Sequence, residues 1–325
     1  HGLLPRHRRA RGEGGAAMTT AEATLARETA APQVGRLRSF FANPWGRPRF
    51  LSVWTWLYII WTIAPVVIAV QFSFNDGRSR STFQGFSTQW YEAIWNEASE
   101  NFDDTLLPAL MQSLKLAVLT MPIATVLGVG LAIGLARWRG RGSGAGNFLM
   151  LFPLVTPEIV MGASMFLIFS NLYHFRLGTA AQLLGHVTFS LSYVVIVTRG
   201  RLFAIGRDYE EAAMDLGASP AGALRRVLLP LLAPAILSSF FIVFAISIDD
   251  FVISQFLCAQ DCTTIPIKIY SAARNAGNPS LNALATIMML LSLLSITVAV
   301  LILRRFNRRE GSGRSAVEDF ARFEI

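Results

Sequence analysis

Charge is scarce in this chain: Asp, Glu, Lys and Arg make up 15% of its 325 residues, where a soluble domain carries roughly 25%. That deficit, with 53% hydrophobic residues and a mean hydropathy of +0.44, excludes a disordered chain, a coiled coil and a collagen-like fibre. It also makes a water-soluble enzyme a poor fit. Lysine is almost missing. Only Lys115 and Lys268 occur, and the other formal positive charges are arginines. Neither lysine follows a glycine-rich turn, since Leu114 precedes one and Ile267 the other. A phosphate-binding loop needs its lysine there to reach the nucleotide, so a conventional Walker motif is excluded. Cysteine is scarce too: Cys258 and Cys262 are too few for a disulfide scaffold or a four-cysteine zinc site. A clip between them and a pair of free thiols both stay open. His174 and His186 have no ligand partners at metal spacing and read as interface or packing residues.

The apolar residues fall in runs. A hydrocarbon core of about 30 Å takes roughly 20 residues of helix, and six segments qualify: 51–74, 114–136, 148–169, 185–198, 231–257 and 283–303. The first carries Trp54, Trp56 and Tyr58 near its start, residue types that favour the headgroup level. The second holds Gly130 and Gly134, a small-x3-small pair that predicts close helix packing. The fourth is the weakest, and the fifth is interrupted by Asp249 and Asp250. The expected fold class is an all-α membrane protein with six transmembrane helices.

Arginine placement predicts the orientation. With the N-terminus inside, the cytoplasmic segments hold Arg36, Arg38, Arg47 and Arg49, then Arg137, Arg139 and Arg141. They go on to hold Arg199, Arg201, Arg207, Arg225 and Arg226, then Arg304, Arg305, Arg308 and Arg309. The outside segments hold Arg78, Arg80, Arg176, Lys268 and Arg274, with Lys115 at a boundary. That asymmetry puts both termini in the cytoplasm. The net charge of +8 is therefore a topological signal and no reason to expect nucleic acid. Residues 1–49 form a polar cytoplasmic tail without the apolar stretch of a signal peptide. The sequence opens on His1, so 1–17 read as an over-extended start before Met18, and 307–325 as a cytoplasmic C-terminal tail. The span region is expected at 50–306.

Between the fourth and fifth spans lies RDYEEAAMDLGASPAGALRRVLLPLLAPAI, residues 207–236. Asp208 with Glu211 predicts a capping box, Gly217 a left-handed helix end, and Ser219–Pro220 the N-cap and first position of a second helix. An amphipathic hairpin resting on the membrane surface would share these features. Within the spans, Asp249 and Asp250 are adjacent, and Glu158 follows Pro153 and Pro157. An acid at the centre of a spanning helix costs roughly 2.5–3.5 kcal/mol, and such residues by default line a path. Proline removes a backbone donor, so a broken helix is expected beside Glu158. The alternative is structural: the aspartates cap a helix break and Glu158 pairs with an arginine. Trp90, Tyr91 and Trp95 read either as a docking or amine-covering surface, by cation–π attraction, or as one side of an interfacial helix.

Glu211, Ala212, Ala213, Gly217 and then Val227-Leu228-Leu229-Pro230 match the pattern EAA-x3-G-x9-I-x-L-P, with valine for isoleucine. The chain thereby resembles the permease subunits of ABC importers, whose EAA loop, here at 199–230, docks on the ATPase. More narrowly, SFND at 73–76, QGFSTQWYEAIW at 84–95, HVTFSLSYVV at 186–195, SIDDFVISQF at 247–256, IPIKIYS at 265–271 and NALATI at 282–287 are similar to the spermidine/putrescine permease family. The likeness runs from about residue 57 to 305. It implies a MetI-like type I importer fold in the bacterial inner membrane and a second homologous permease beside the chain. It further implies an ATPase dimer that holds ATP and magnesium, and an extracytoplasmic polyamine-binding protein. No cofactor is expected on this chain. Glu211, Ala212, Ala213, Gly217 and Pro230 are then the coupling residues, and Glu158, Asp249 and Asp250 the candidates for the substrate path. Another cargo on the same architecture, such as a metal complex or an anion, is one rival. An ATP-independent carrier is a second, although it leaves the spaced hairpin unexplained. A subunit without its own path is a third.

Overall fold

The computed structural model describes residues 49–79, 82–138, 140–260, 262–274 and 279–309. The two tails expected at 1–49 and 307–325 fall almost wholly outside these residues. The described elements are helical, and the one β contact among them is an isolated bridge between Asn75 and Phe86. In chain order the helices are α1 (Arg49–Ser73), α2 (Gln89–Trp95), α3 (Leu106–Arg137), α4 (Ser143–Leu149), α5 (Phe152–Val155) and α6 (Glu158–Leu167). A π-turn, Ile168–Leu172, extends α6. Then come α7 (Thr179–Ile205), α8 (Asp208–Asp215), α9 (Pro220–Ala223), α10 (Leu229–Asp249), α11 (Val252–Leu257), α12 (Ile265–Arg274) and α13 (Ser280–Arg309). A second π-turn, Leu224–Leu228, joins α9 to α10.

The chain divides between Ala64 and Pro65 into two compact units. The described part of the first is the start of α1, whose apolar side chains are exposed, Trp61 to 81%. In the second unit α3 packs along α7, and α10 packs on α3, α7 and α13. Three layers of buried side chains fill this bundle. Trp90, Ile94, Leu106, Ile248, Ile265 and Leu284 close the end that carries α2. Val129, Val187, Val194 and Val243 fill the middle, and Val195, Leu202, Leu228 and Leu232 the end nearest α8. A fourth cluster, Met161, Ala181, Ile253 and Leu257, binds α6 and α11 to α7. Trp90 is thus a core residue at 0% exposure, its indole N–H donated to the Asn75 carbonyl, and cannot dock a partner. Trp95 stays exposed.

Among the described residues five helices are long and apolar enough to cross a membrane, and the sixth expected span is bent. The segment Ser143–Val155 meets Glu158–Leu172 at 105°. Thr156 and Pro157 are both extended at the bend, with ψ of 129° and 131°. The proline ring drives the residue before it out of the helical region and removes a donor from the next turn, so no straight helix can pass. The first arm is held to α7 by Ser192, which donates to the Met150 carbonyl at 2.7 Å, and by Arg199, which donates to Asn147 at 2.6 Å. The expected fourth span is longer than its apolar core, reaching from Thr179 to Ile205. The fifth ends at Asp249, and Cys258 and Cys262, which follow α11, are joined by a disulfide.

Close packing falls on different glycines from those expected. A Cβ on Gly130 or Gly134 would meet nothing within 4 Å, whereas one on Gly128 would come within 2.6 Å of Val194 Cβ. The reason is angular: Gly128 lies on the α3 face turned to α7, and the small-x3-small pair lies off it. Gly185 is equally tight, its Cβ position 2.6 Å from both Ile253 and Leu257. Gly128→Ala should destabilise the detergent-solubilised protein by about 1–3 kcal/mol through overpacking. Gly130→Ala should be neutral or stabilising by about 0.5–1 kcal/mol, because alanine is the better helix former. Thermal unfolding of the two variants side by side measures the difference.

Candidate functional site

Buried polar side chains converge where α10 breaks. Asp250 follows the last residue of α10 with ψ at 122°, and α11 begins two residues later. Its carboxylate is 7% exposed at the residue level, and Oδ2 accepts the Ser254 backbone N–H at 2.8 Å, tying down the first turn of α11. His186, from the middle of α7, is 2% exposed and bridges the break. Its Nδ1 lies 2.7 Å from Ser247 Oγ on α10, and its Nε2 lies 2.9 Å from Ser254 Oγ and 3.1 Å from Asp250 Oδ2. A nitrogen facing a carboxylate oxygen donates, so Nε2 carries a proton, and Nδ1 shares a hydrogen bond with the Ser247 hydroxyl.

Glu158, at the first position of α6 after the Pro157 bend, comes close enough to Asp250 for the two carboxyls to interact electrostatically. The chain separates these two acids by the whole of α7 and α10, and the fold joins them because α11 packs on α6. Among the described residues no lysine or arginine pairs with either. Asp250 Oδ1 is buried without a hydrogen-bond donor. Two carboxylates that meet in low dielectric repel unless a proton or a cation stands between them. The arrangement can therefore take a positively charged group.

Asp249 points elsewhere. Its Oδ2 accepts from Ser292 on α13 at 3.2 Å, and it lines a cavity of about 570 Å³ with Ile269, Tyr270, Met288 and Met289. The adjacent aspartates are thus two separate features, one at the buried network and one at the α12–α13 side, because residue 249 ends a helix and residue 250 is extended.

At the other end of the bundle α8 and α9 form the hairpin. Gly217 has φ of +89°, its N–H bonds the Met214 carbonyl at 2.9 Å, and Ala218 N–H bonds the Ala213 carbonyl at 3.0 Å. Ser219 accepts from Gly222 N–H at 3.2 Å with Pro220 at the first helical position, as expected. The capping box is not formed: Arg207 holds the N-cap position without a side-chain bond, and Asp208 is already helical. Charge replaces it. Arg137, the last residue of α3, pairs with Glu210, and its field extends to Glu211. Arg207 donates to the Ala136 carbonyl at 3.4 Å. Glu211 and Ala212 are exposed, Ala213 is half-buried, and Pro230 stands at the start of α10. Tyr209, Met214 and Leu216 are exposed around the turn, Leu216 to 90%.

Sequence reasoning missed His186, Ser247 and Ser254, and treated Arg137 only as a topological charge. One signal was available. Gln182, His186 and Ser190 recur every fourth residue, a polar stripe along one face of α7. Gln182, fully buried, donates to the Ser254 carbonyl at 3.1 Å and the Cys262 carbonyl at 3.0 Å, holding α11 and the disulfide loop to α7.

The profile of the family described as "Binding-protein-dependent transport system inner membrane component" matches residues 124–311. The spermidine/putrescine transport system permease protein PotC of Haemophilus influenzae is 38% identical over 255 residues, 78% of this chain and 95% of that protein. The putrescine transport system permease protein PotI of Escherichia coli K12 is 36% identical over 254 residues, 76% of this chain and 86% of that protein. Among solved structures, a bacterial ABC transporter involved in import of the acidic polysaccharide alginate superposes with a TM-score of 0.61 at 16% identity, over 80% of this chain and 96% of that one. The MetNI methionine ABC transporter superposes at 0.54 with 16% identity, over 62% and 95%. Those two likenesses concern the fold, the MetI-like arrangement of helices. On the family profile and the length of the similarity, the chain belongs to the binding-protein-dependent inner membrane components, the permease subunits of ABC importers.

Proposed function

We propose that this permease subunit imports a linear polyamine, putrescine or spermidine. It would receive the amine from an extracytoplasmic binding protein and form the pathway with a second homologous permease above an ATPase dimer. The observation that carries the amine reading is the meeting of Glu158 and Asp250 with no lysine or arginine opposite them among the described residues. An anion would be repelled there. A primary ammonium group offsets one of the two negative charges, stands between the acids, and offers donors to the oxygen of Asp250 that lacks one. The relatives named for spermidine and putrescine support the same cargo. Asp249, in the cavity with Tyr270 and two methionines, offers a second negative charge beside apolar surface, which suits a chain of methylenes between amines. The arginine distribution supports an orientation with both termini in the cytoplasm and the acidic 75–107 loop outside.

The hairpin is the coupling element in this reading. Its turn presents Tyr209, Met214 and Leu216 to a groove on the ATPase, with Glu211, Ala212 and Ala213 along the docking helix. Two routes lead from it into the bundle. The Arg137–Glu210 pair grips the end of α3. The helical stretch Pro220–Asp249 runs for 30 residues, about 45 Å at 1.5 Å per residue, and ends at the acids. Closure of the ATPase below would therefore move the Asp249–Asp250 break above. The permease itself performs no covalent chemistry, and ATP is hydrolysed on the separate ATPase.

Gly217→Asp should abolish uptake while leaving membrane insertion intact. The space around Gly217 is open, so the substitution adds a charge at the docking turn and about 1–2 kcal/mol of left-handed backbone strain without a core clash. Normal transport by a fully expressed variant would remove the coupling assignment. Asp249→Asn together with Asp250→Asn should lower uptake at least tenfold, on the order of one lost charge-assisted contact, with complex assembly measured by co-purification unchanged. For cargo, the purified complex should show ATPase activity stimulated by its binding protein with putrescine or spermidine. Stimulation by sulfate or ferric iron instead would replace the polyamine reading.

A further inference from the structure

His186 stands at the junction of three elements, and its geometry is more specific than packing requires. A histidine that merely fills space in an apolar bundle needs one partner for its N–H. Here both ring nitrogens are engaged, and the partners come from either side of the α10 break: Ser247 three residues before Asp250, Ser254 four residues after it, and the Asp250 carboxylate itself. The consequence falls on Asp250. Oδ2 receives the Ser254 N–H and faces Nε2, while Oδ1 is equally buried and has no donor. One oxygen is anchored and the other is left for whatever sits beside Glu158.

We propose that His186 is a positioning residue for transport: its Nε2–H fixes Asp250 Oδ2, so that Oδ1 and Glu158 together present a cradle to the passing ammonium group. The inference rests on the polyamine-pathway reading of Asp250. Without the Nε2 donor Oδ2 keeps only its Ser254 contacts, so the carboxylate turns more readily about its χ2 and the acid is present but less well aimed. Capture of the amine then fails although the helices still move.

Two amide substitutions separate the ring nitrogens. In His186→Gln the side-chain amide reaches the place of Nε2 and can donate to Asp250; in His186→Asn it reaches only that of Nδ1, toward Ser247. The measurement is radiolabelled putrescine or spermidine accumulated per ATP hydrolysed. It uses the complete complex in proteoliposomes, with its partner permease, ATPase and loaded binding protein. His186→Gln should stay within about twofold of the parent and His186→Asn should fall about tenfold, the scale of one hydrogen bond to a charged group. Complex yield and ATPase rate should be unchanged in both. In an Asp250→Asn background, His186→Asn should cause no further loss, because the histidine acts through that carboxylate. Equal behaviour of Gln and Asn, additive losses, or failure of His186→Asn to assemble would each overturn the assignment. A normal ratio for Asp250→Asn alone would sink the pathway reading and this inference with it. A low ratio there with a normal one for His186→Asn would remove only the role of the histidine.

Discussion

A carboxylate taken out of water must find donors or a counter-charge, and in this bundle that requirement is concentrated on Asp250. One of its oxygens is satisfied by the backbone of α11 and the ring of His186; the other is buried without a hydrogen-bond partner, and Glu158 is a charged neighbour of the group. Around that half-satisfied group the local architecture has its reasons. The break between α10 and α11 supplies the free N–H groups that a continuous helix would have consumed. The Pro157 bend brings Glu158 to the same place, and Gly162 and Gly185 let α11 approach α6 and α7. The backbone groups that a break frees need protein or a cavity around them, and α6, α7 and α11 cover this one.

The hairpin end of the molecule follows a different rule. The hairpin is short, closed by a left-handed glycine and capped by Ser219, so it bends little. Its attachment to the bundle is an ion pair on one side and an almost unbroken helix on the other. In the proposed reading a push applied at the hairpin would reach the acids through α10, so that energy coupling and cargo recognition would sit at the two ends of one helical stretch.

Much of this was readable in advance. Five of the six apolar stretches form span-length helices and the other is bent by 105° where two prolines and an acid had marked it, and the turn at Gly217 and the cap at Ser219 formed as their local chemistry required. What failed was reasoning across the chain. Asp208 did not cap its helix, because Arg207 takes the N-cap position and Arg137 supplies the charge contact to the first turn. Gly130 and Gly134 did not pack, because helical phase on α3, and not spacing alone, decides which face meets α7. Trp90 did not stay on the surface, because its indole found the Asn75 carbonyl inside the core.

Sequence alone determined the apolar stretches, their chemistry, the hairpin and the presence of acids among apolar runs, since each is set by composition within a few turns of helix. Tertiary structure decided which acids meet. Residues 158, 186, 247, 250 and 254 lie on four helical elements and a break between two of them, and their spacing along the chain encodes nothing about their separation in space. Only the packing of α11 on α6 and α7, enforced by glycines too small to hold the helices apart, turned a histidine with no evident partner and two distant carboxyl groups into one site.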